Sequence, residues 1–306
     1  MKEIGIYIHI PFCIKKCEYC DFVSYCNKEK YVPQYINALK KEIKNNINKE
    51  YKITTIYIGG GTPSSIEENY IADIIETIKL NMNDENLKEF KNVEVTIEVN
   101  PGTVTEKKLE TYKEIGINRL SIGLQETHDE LLKSIGRIHT YEEFLKTYNL
   151  ARKIGFNNIN VDLMIALPNQ TIQDIKENLE KIIKLNPEHI SVYSLILEEG
   201  TPFYNKYNEN KIRLPDEELE RNMYWYVKNT LENNGYIHYE ISNFSKKGFE
   251  SKHNMNCWNQ EEYLGFGVAA HSYNNKIRYS NTNSIEEYIK ESNKIIHEKQ
   301  TLEDMQ

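Results

Sequence analysis

The sequence predicts an α/β fold, an open three-quarter (β/α)6 barrel followed by a smaller C-terminal α+β portion. Three observations lead to this prediction. Short β-rich runs alternate with longer amphipathic stretches through the first 200 residues, six such runs occur there, and the rhythm changes after the Gly-Thr-Pro turn at 200–202. Strands that alternate with helices favour a parallel sheet with right-handed connections. Six strands are too few for a closed eight-stranded barrel, so we expect an open one.

The individual elements follow from hydrophobic periodicity. Runs rich in Ile, Val, Thr and Tyr predict strands, and they cover residues 4–10, 54–58, 93–99, 118–123, 157–163 and 188–195. Patterns with helical spacing lie between them, at about 33–48, 65–80, 104–115, 140–154 and 170–185. We therefore assign residues 1–200 to the barrel.

Residues 201–306 form the predicted α+β portion. A long helix is expected to start near the Leu-Pro-Asp sequence at 214–216, because proline and aspartate are favoured at helix starts. The run YIHYEIS at 236–242 and the glycine-rich, aromatic segment at 258–273 follow it. We expect short strands and turns there.

Composition narrows the class of protein. A chain of 306 residues with 39% hydrophobic residues is long enough to bury a substantial core. The net charge of -8, with scattered positive charges, argues against a nucleic-acid partner. No window approaches the roughly 20 apolar residues of a membrane span. Because the N-terminus enters a strand pattern without a charged leader, we expect a cytoplasmic protein.

Three of the five cysteines form a compact motif after the first predicted strand. Cys13, Cys17 and Cys20 have the spacing C-x3-C-x2-C. Thiolates suit iron-sulfur clusters, and three of them leave one iron of a 4Fe-4S cluster open. An open iron can bind the amino and carboxylate groups of S-adenosylmethionine (SAM) and reduce its sulfonium to start radical chemistry. The alternative is a structural zinc site completed by His9, Cys26 or a distant ligand.

Polar residues and glycines follow the other predicted strands at the point where each ends. A GGGTP sequence at 59–63 follows the second strand, Glu98 closes the third, Gln125 follows the fourth and Asp162 closes the fifth. Each alone is more often a cap or a solvated loop residue. Together they lie at the carboxyl edge of the parallel strands, where barrel folds assemble their sites. A zinc knuckle does not explain this pattern.

Six sequence blocks occur in an order and spacing that resemble a known family. They are YIHIPFCIKKCEYCDF at 7–22, IGGGTPS at 58–64, IEVNPGT at 97–103, RLSIGLQ at 119–125, IGRIHT at 135–140 and VDLMIALPNQT at 161–171. The resemblance is to the radical SAM enzymes related to oxygen-independent coproporphyrinogen III oxidase, and above all to their heme chaperone branch, HemW. It therefore implies a partial barrel of radical SAM type.

The resemblance also implies the roles of individual residues. Cys13, Cys17 and Cys20 would bind the 4Fe-4S cluster. The residues that would flank the cluster or contact SAM are Tyr7, Tyr19, Gly60, Gly61, Thr62, Glu98, Gln125, Arg137, Asp162, Met164 and Ile196. Arg137 also fits on physical grounds, because a guanidinium can bind a carboxylate through two hydrogen bonds. Its alternative role is a surface ion pair.

Two features separate the chaperone branch from the oxidases. The oxidases carry a further cysteine two residues after the last cluster ligand, where this chain has Phe22. The segment HNMNCW at 253–258 resembles the H-N-x-x-Y-W segment that binds heme in the chaperones, which implies that His253 is a heme ligand. Cys257 stands where tyrosine is usual, and a thiolate can itself ligate heme iron.

The resemblance implies a cytoplasmic heme chaperone that binds heme and transfers it to hemoproteins, using the cluster and SAM. Recipients would include membrane-bound respiratory proteins, with peripheral membrane contact and a homodimer compatible with the family. The main alternative is a coproporphyrinogen III oxidase that decarboxylates propionates to vinyl groups by radical chemistry. A zinc-stabilised interaction protein is the third. The resemblance implies that relatives continue into a small helical C-terminal domain. We expect that domain to be missing here, either because the sequence is truncated or because this member lacks it.

Overall fold

The protein contains one open sheet of twelve strands. The computed structural model describes residues 1–290 and 294–299. The strands are β1 (Lys2–Ile10), β2 (Tyr51–Gly60), β3 (Glu94–Val99), β4 (Arg119–Gln125), β5 (Ile159–Ile165), β6 (His189–Ser194), β7 (Ile237–His238), β8 (Asn243–Ser245), β9 (Tyr263–Phe266), β10 (His271–Asn274), β11 (Ile277–Asn281) and β12 (Lys294–Lys299). Their order in the sheet is β12-β11-β10-β9-β1-β2-β3-β4-β5-β6-β8-β7.

Helices connect the strands of this sheet. They are α1 (Val32–Asn46), α2 (Glu68–Asn81), α3 (Asp84–Lys88), α4 (Glu106–Glu114), α5 (Asp129–Ser134), α6 (Tyr141–Ile154), α7 (Ile172–Leu185), α8 (Pro202–Asn208), α9 (Glu217–Asn233), α10 (Lys252–Trp258) and α11 (Ile285–Lys290). Within the described residues, no helix combines the length and apolar character that a membrane crossing requires.

Strands β1 to β6 form the predicted open parallel barrel, which is confirmed. Each pairs in parallel with the next, as in the register of Tyr7 with Tyr57 and of Asp162 with Ser191. Helix α2 begins three residues later than expected. Its predicted start is occupied by a 3-10 turn at Pro63–Ser65, after which Ile66 is extended.

Alternation along the barrel strands divides apolar from polar side chains. In β4, Leu120 and Ile122 are fully buried in the hydrophobic core beneath the helices. Arg119 and Ser121 lie on the opposite face of the same strand, because successive side chains of a strand point to opposite sides. The neighbouring strands β3 and β5 repeat this alternation. The barrel therefore has a polar interior.

Residues after 200 extend the same sheet at both edges. Strand β9 pairs in parallel with β1, and β8 pairs antiparallel with β6. The long helix expected near 214–216 is α9, and Asp216 caps it by accepting a hydrogen bond of 2.8 Å from the Leu219 N–H. The run at 236–242 contributes only the two-residue strand β7 within the described residues.

Glu42 on α1 connects the barrel to this C-terminal extension. Its buried carboxylate accepts hydrogen bonds from the Gly267 N–H at 3.0 Å, from Asn281 Nδ2 at 2.9 Å and from the Tyr288 hydroxyl at 2.6 Å. These donors lie more than 200 residues away in sequence. The carboxylate therefore holds distant parts of the chain together.

Replacing this carboxylate should destabilise the protein. Glu42→Ala leaves several buried donors without an acceptor, and we expect the free energy of unfolding to fall by about 3 kcal/mol. Chemical denaturation measures this free energy of unfolding, and Lys41→Ala, on the exposed side of the same helix, serves as the control. Equal denaturation midpoints for the two variants would contradict this role of Glu42.

Candidate functional site

A pocket of about 410 Å³ opens at the carboxyl ends of the barrel strands. Its volume is in the range typical of small-molecule sites. Most of the residues implied by the sequence for the cluster and SAM line it, namely Cys13, Cys17, Tyr19, Cys20, Gly60, Gly61, Thr62, Glu98, Gln125, Arg137, Asp162, Met164 and Ile196. The structure therefore brings together side chains that are spread over more than 180 residues of sequence.

Backbone hydrogen bonds fix the cysteine loop at the rim of this pocket. The Cys13 N–H donates to the Tyr25 carbonyl at 3.0 Å, and the Cys20 N–H donates to the Cys17 carbonyl at 3.3 Å. The Glu18 N–H donates to the Ile135 carbonyl, just after helix α5, at 3.1 Å. The loop folds back on itself, so all three thiols lie on the same pocket.

The three thiols sit in different polar surroundings. Cys13 Sγ lies 3.5 Å from Thr62 Oγ1, and Arg137 Nη1 donates to Cys17 Sγ at 3.7 Å. Burial raises the pKa of Cys20 to about 11 and also raises the pKa of Cys13. As free thiols both are protonated at neutral pH, so metal binding by these two residues must release protons.

In the part of the chain that the structure describes, no group of three or more His, Cys, Asp or Glu side chains is placed to hold one metal ion.

The glycine run after β2 packs directly against the cysteine loop. A Cβ atom on Gly61 would lie 2.9 Å from the Phe12 carbonyl oxygen and 3.0 Å from Cys13 Sγ. Gly60 has a φ of +113°, which favours glycine, and its N–H donates to Glu98 Oε2 at 3.1 Å. Glycine at 60 and 61 therefore allows the backbone to reach both the loop and the carboxylate.

Two carboxylates share the inner wall of the pocket. Glu98 Oε1 accepts a hydrogen bond of 3.0 Å from the Tyr57 hydroxyl, and Asp162 Oδ1 accepts one of 2.7 Å from Asn160 Nδ2. Burial, and then the charge of Asp162, raise the pKa of Glu98 to about 7. Burial also raises the pKa of Asp162. A cationic ligand would relieve this repulsion, because an opposite charge favours the ionised carboxylates.

Two other polar atoms of the pocket are fully buried. Gln125 Oε1 and Arg137 Nε form no hydrogen bond within the described residues. Arg137 Nη2 is held in place, because it donates to the Gly123 carbonyl at 2.6 Å and to Asn100 Oδ1 at 2.9 Å. Leaving such a group unpaired costs about 1–3 kcal/mol. These groups suit a polar ligand that carries both a donor and a carboxylate, and SAM has both.

Tyr7, expected beside SAM, lies one layer behind the pocket wall. Its hydroxyl is 3.0 Å from His9 Nδ1, and its ring stacks on Tyr57 with 6.3 Å between centroids. His9 Nε2 in turn lies 2.8 Å from the Val23 carbonyl oxygen. Tyr7 and His9 thereby support the chain that follows the cysteine loop.

His253 lies inside the barrel, away from the pocket lining. It is 5% exposed, its Nδ1 lies 2.9 Å from Thr55 Oγ1, and its ring stacks on Tyr57 at 5.3 Å between centroids. Burial, and then the positive charge of Arg119, lower the pKa of His253 to about 4. The imidazole is therefore neutral at physiological pH.

The other end of the HNMNCW segment faces solvent. Helix α10 directs His253 inward, whereas Cys257 is exposed and Trp258 is 61% exposed. Phe22, where the oxidases have cysteine, is also exposed and lies at the mouth of the pocket. The segment therefore separates its histidine from its outward-facing cysteine and tryptophan.

Sequence reasoning missed several residues of the pocket wall. Tyr57, Ser121 and Tyr193 line the pocket from the interior faces of β2, β4 and β6. The sequence could have indicated these three residues through the alternation of polar and apolar residues along each strand, which places them on the interior face of the barrel. Asn100 had no assigned role beyond its place in the IEVNPGT block, yet its Nδ2 donates to Thr62 Oγ1 at 2.9 Å.

Comparisons with known proteins agree with this geometry. Residues 7–182 match the Radical SAM superfamily. Heme chaperone HemW of Bacillus subtilis is 42% identical over 286 residues, which cover 92% of this chain and 74% of the relative. Heme chaperone HemW of Escherichia coli is 35% identical over 276 residues, which cover 89% of this chain and 70% of that protein.

A solved structure shows the same fold. The structure of coproporphyrinogen III oxidase (HemN) from Escherichia coli, described as a radical SAM enzyme, superposes with a TM-score of 0.85. The match covers 99% of this chain and 73% of that chain at 23% identity. The shared fold therefore includes the residues after 200, which lie beyond the part of the chain that matches the superfamily.

The negative charge of the half-buried Glu98 carboxylate should lower the stability of the protein at high pH. Its pKa in the folded protein lies above its ordinary value of 4.5, so the ionised form costs stability as the pH rises from about 4.5 through 7. In Glu98→Gln the amide can accept from Gly60 and donate to Tyr57. We expect this variant to unfold a few degrees above the parent protein at pH 8, with a smaller difference at pH 5.

Differential scanning calorimetry at the two pH values measures this effect. Glu89→Gln, on an exposed position, serves as the control for loss of one surface carboxylate. A Glu98→Gln protein that melts below the parent at pH 8 would show that the carboxylate is not under electrostatic strain.

Proposed function

The chain belongs to the radical SAM superfamily and, within it, to the HemW family, and on this premise we propose that it is a heme chaperone. It binds heme and delivers it to recipient hemoproteins, with a 4Fe-4S cluster and SAM serving the transfer. The observation that carries the proposal is the convergence of Cys13, Cys17 and Cys20 on one pocket, together with pocket atoms that have no hydrogen-bond partner among the described residues. Its relatives named as heme chaperones supply the heme part.

The pocket has the donor set that a cluster and SAM require. Three thiols can hold three irons, and when bound, the cluster supplies a fourth iron with an open position for SAM. Glu98 and Asp162 line this pocket, and their carboxylates would interact with the sulfonium and ammonium charges of SAM. Arg137 Nε and Gln125 Oε1, which form no hydrogen bond in the described part of the chain, would pair with its carboxylate and its donors respectively.

Apolar contact completes this proposed SAM site. Met164 and Ile196 line the pocket on the side of β5 and β6. Tyr19 lies between the second and third cysteines, and burial raises the pKa of its hydroxyl, which keeps it neutral. We assign these three side chains to the adenosyl end of SAM and to the boundary with the cluster.

His253 is the proposed heme ligand. Its ring is neutral, and a neutral imidazole is the form that binds iron. Nδ1 is engaged by Thr55, so Nε2 is the ring nitrogen that we assign to the iron. Because His253 is buried, heme ligation requires helix α10 to turn this side chain outward. Trp258, exposed at the other end of the same segment, would offer an aromatic surface to heme.

The remaining assignments follow from the same proposal. Residues 1–200 hold the cluster and SAM, and residues 201–306 carry the heme segment. Delivery takes place from the cytoplasm to hemoproteins that include membrane-bound respiratory ones, with the chaperone in peripheral contact with the membrane. Homodimers would present two such sites.

Cluster binding should depend on the motif cysteines. After anaerobic reconstitution we expect about four iron and four sulfide per chain, with the brown charge-transfer absorbance of a 4Fe-4S cluster. Cys17→Ser removes one ligand and should lose most of this iron. Cys26→Ser is the matched control, since Cys26 lies outside the pocket lining and should leave the content unchanged. Stoichiometric zinc in place of iron would refute the cluster assignment.

Heme retention should depend on His253. His253→Ala removes the proposed iron ligand, so the Soret absorbance that survives gel filtration should fall sharply relative to the parent. His238→Ala, in the short strand β7, is a control histidine that should retain heme. Equal retention by both variants would exclude His253 from the site.

Turnover of porphyrinogen separates the chaperone from its main alternative. The reconstituted protein is incubated anaerobically with SAM, a reductant and coproporphyrinogen III. We expect tight heme binding without conversion of this substrate. Formation of protoporphyrinogen would replace the chaperone assignment by that of an oxidase.

A further inference from the structure

Tyr57 is in contact with both proposed sites. Its hydroxyl donates to Glu98 Oε1 at 3.0 Å in the wall of the SAM pocket. Its ring stacks on the ring of His253, with centroids 5.3 Å apart and planes inclined by 29°. One side chain therefore spans the distance between the carboxylate proposed for SAM and the histidine proposed for heme.

The buried position of His253 depends on further contacts inside the barrel. Its Nδ1 pairs with Thr55 on the same strand as Tyr57, and its backbone N–H donates to Glu94 Oε1 at 3.1 Å. Glu94 Oε2 also accepts from the Lys252 N–H at 3.1 Å. The carboxylate thus holds the start of α10 against β3, and the ring stack with Tyr57 holds the side chain inside.

A hydrogen-bonded chain leads from the second pocket carboxylate to the same helix. Asp162 accepts from Asn160, whose Oδ1 lies 2.6 Å from His189 Nδ1. His189 Nε2 lies 2.6 Å from the Tyr239 hydroxyl, which accepts from the Ser251 N–H at 3.2 Å. Ser251 is the N-cap of α10. Both carboxylates of the pocket are therefore connected to the heme segment.

The interior that contains these contacts is shielded from water. Arg119 is 1% exposed, and its Nε has no hydrogen-bond partner within the described residues. Its charge adds to burial in lowering the pKa of His189 and of His253, so both rings stay neutral. Hydrogen bonds in such an interior are strong and mutually dependent. A change in the hydrogen bonds of one carboxylate therefore alters the hydrogen bonds of the groups linked to it.

We propose that Tyr57 is a positioning residue that couples SAM binding at Glu98 to the release of His253 for heme. The inference rests on the proposed function. SAM brings its own donors to Glu98, which compete with the Tyr57 hydroxyl for Oε1. Once Tyr57 loses this acceptor, its ring is less firmly held and His253 leaves the stack at lower cost. SAM therefore favours the heme-binding state, and by linkage heme favours SAM binding equally.

Heme titrations of the reconstituted protein test this coupling. Soret absorbance gives the dissociation constant of hemin with and without saturating SAM under anaerobic conditions. We expect SAM to tighten heme binding by about fivefold or more, the lower end of ordinary allosteric coupling. Equilibrium dialysis should show hemin tightening SAM binding by the same factor. A factor of one, or weaker heme binding with SAM, would overturn the proposal.

Two substitutions of Tyr57 separate its hydroxyl from its ring. Tyr57→Phe keeps the stack on His253 but loses the bond to Glu98, so the coupling factor should fall to near one while both ligands still bind. Tyr57→Leu removes the stack, so hemin should bind more tightly than to the parent even without SAM. A Tyr57→Phe protein with the full coupling factor would contradict the assignment.

A control variant at another tyrosine tests whether the effect is specific to Tyr57. Tyr236→Phe removes the hydroxyl of another buried tyrosine, bonded at 2.8 Å to the Pro187 carbonyl, and should retain the parent coupling. Failure of the parent to bind hemin or SAM at all would reject the proposed function. Binding of both without mutual influence would reject the role of Tyr57 alone.

Discussion

The parallel register of β1 to β6 is the constraint on which the rest of the structure depends. Because all six strands run the same way, their carboxyl ends meet at one edge, and the cysteine loop, the glycine run and the carboxylates arrive at one pocket. Outward-facing Ile, Val and Leu residues fix that register by packing beneath the helices. A slip of one residue would exchange the polar and apolar faces.

The polar interior is maintained at a cost in stability. Glu98 and Asp162 are half-buried and repel each other, and Arg119 Nε has no hydrogen-bond partner among the residues that the structure describes, so the desolvation of these groups opposes folding. The large apolar core and the carboxylate of Glu42 offset that cost at the other side of the sheet. Such strain is typical of sites that await a charged ligand. In this protein it coincides with the pocket implied for SAM.

Local pattern predicted the barrel well because its elements are strongly periodic. All six barrel strands and their main helices are found near their predicted positions, and the three motif cysteines line one pocket with Thr62 and Arg137. The placement of β8 and β9 at opposite edges of the sheet depends on pairings across the whole chain, which periodicity does not encode. For the same reason the inward orientation of His253 and its contact with Tyr57 were not visible in the HNMNCW segment.

Electron paramagnetic resonance of the reduced cluster tests the central claim, that three thiolates leave one iron open for SAM. The reconstituted protein is reduced anaerobically, and its spectrum is recorded before and after addition of SAM. Binding of SAM to the open iron should shift the g-values of the cluster signal. An unchanged spectrum in protein that demonstrably binds SAM would mean that the cofactor does not reach the iron, and it would contradict the account.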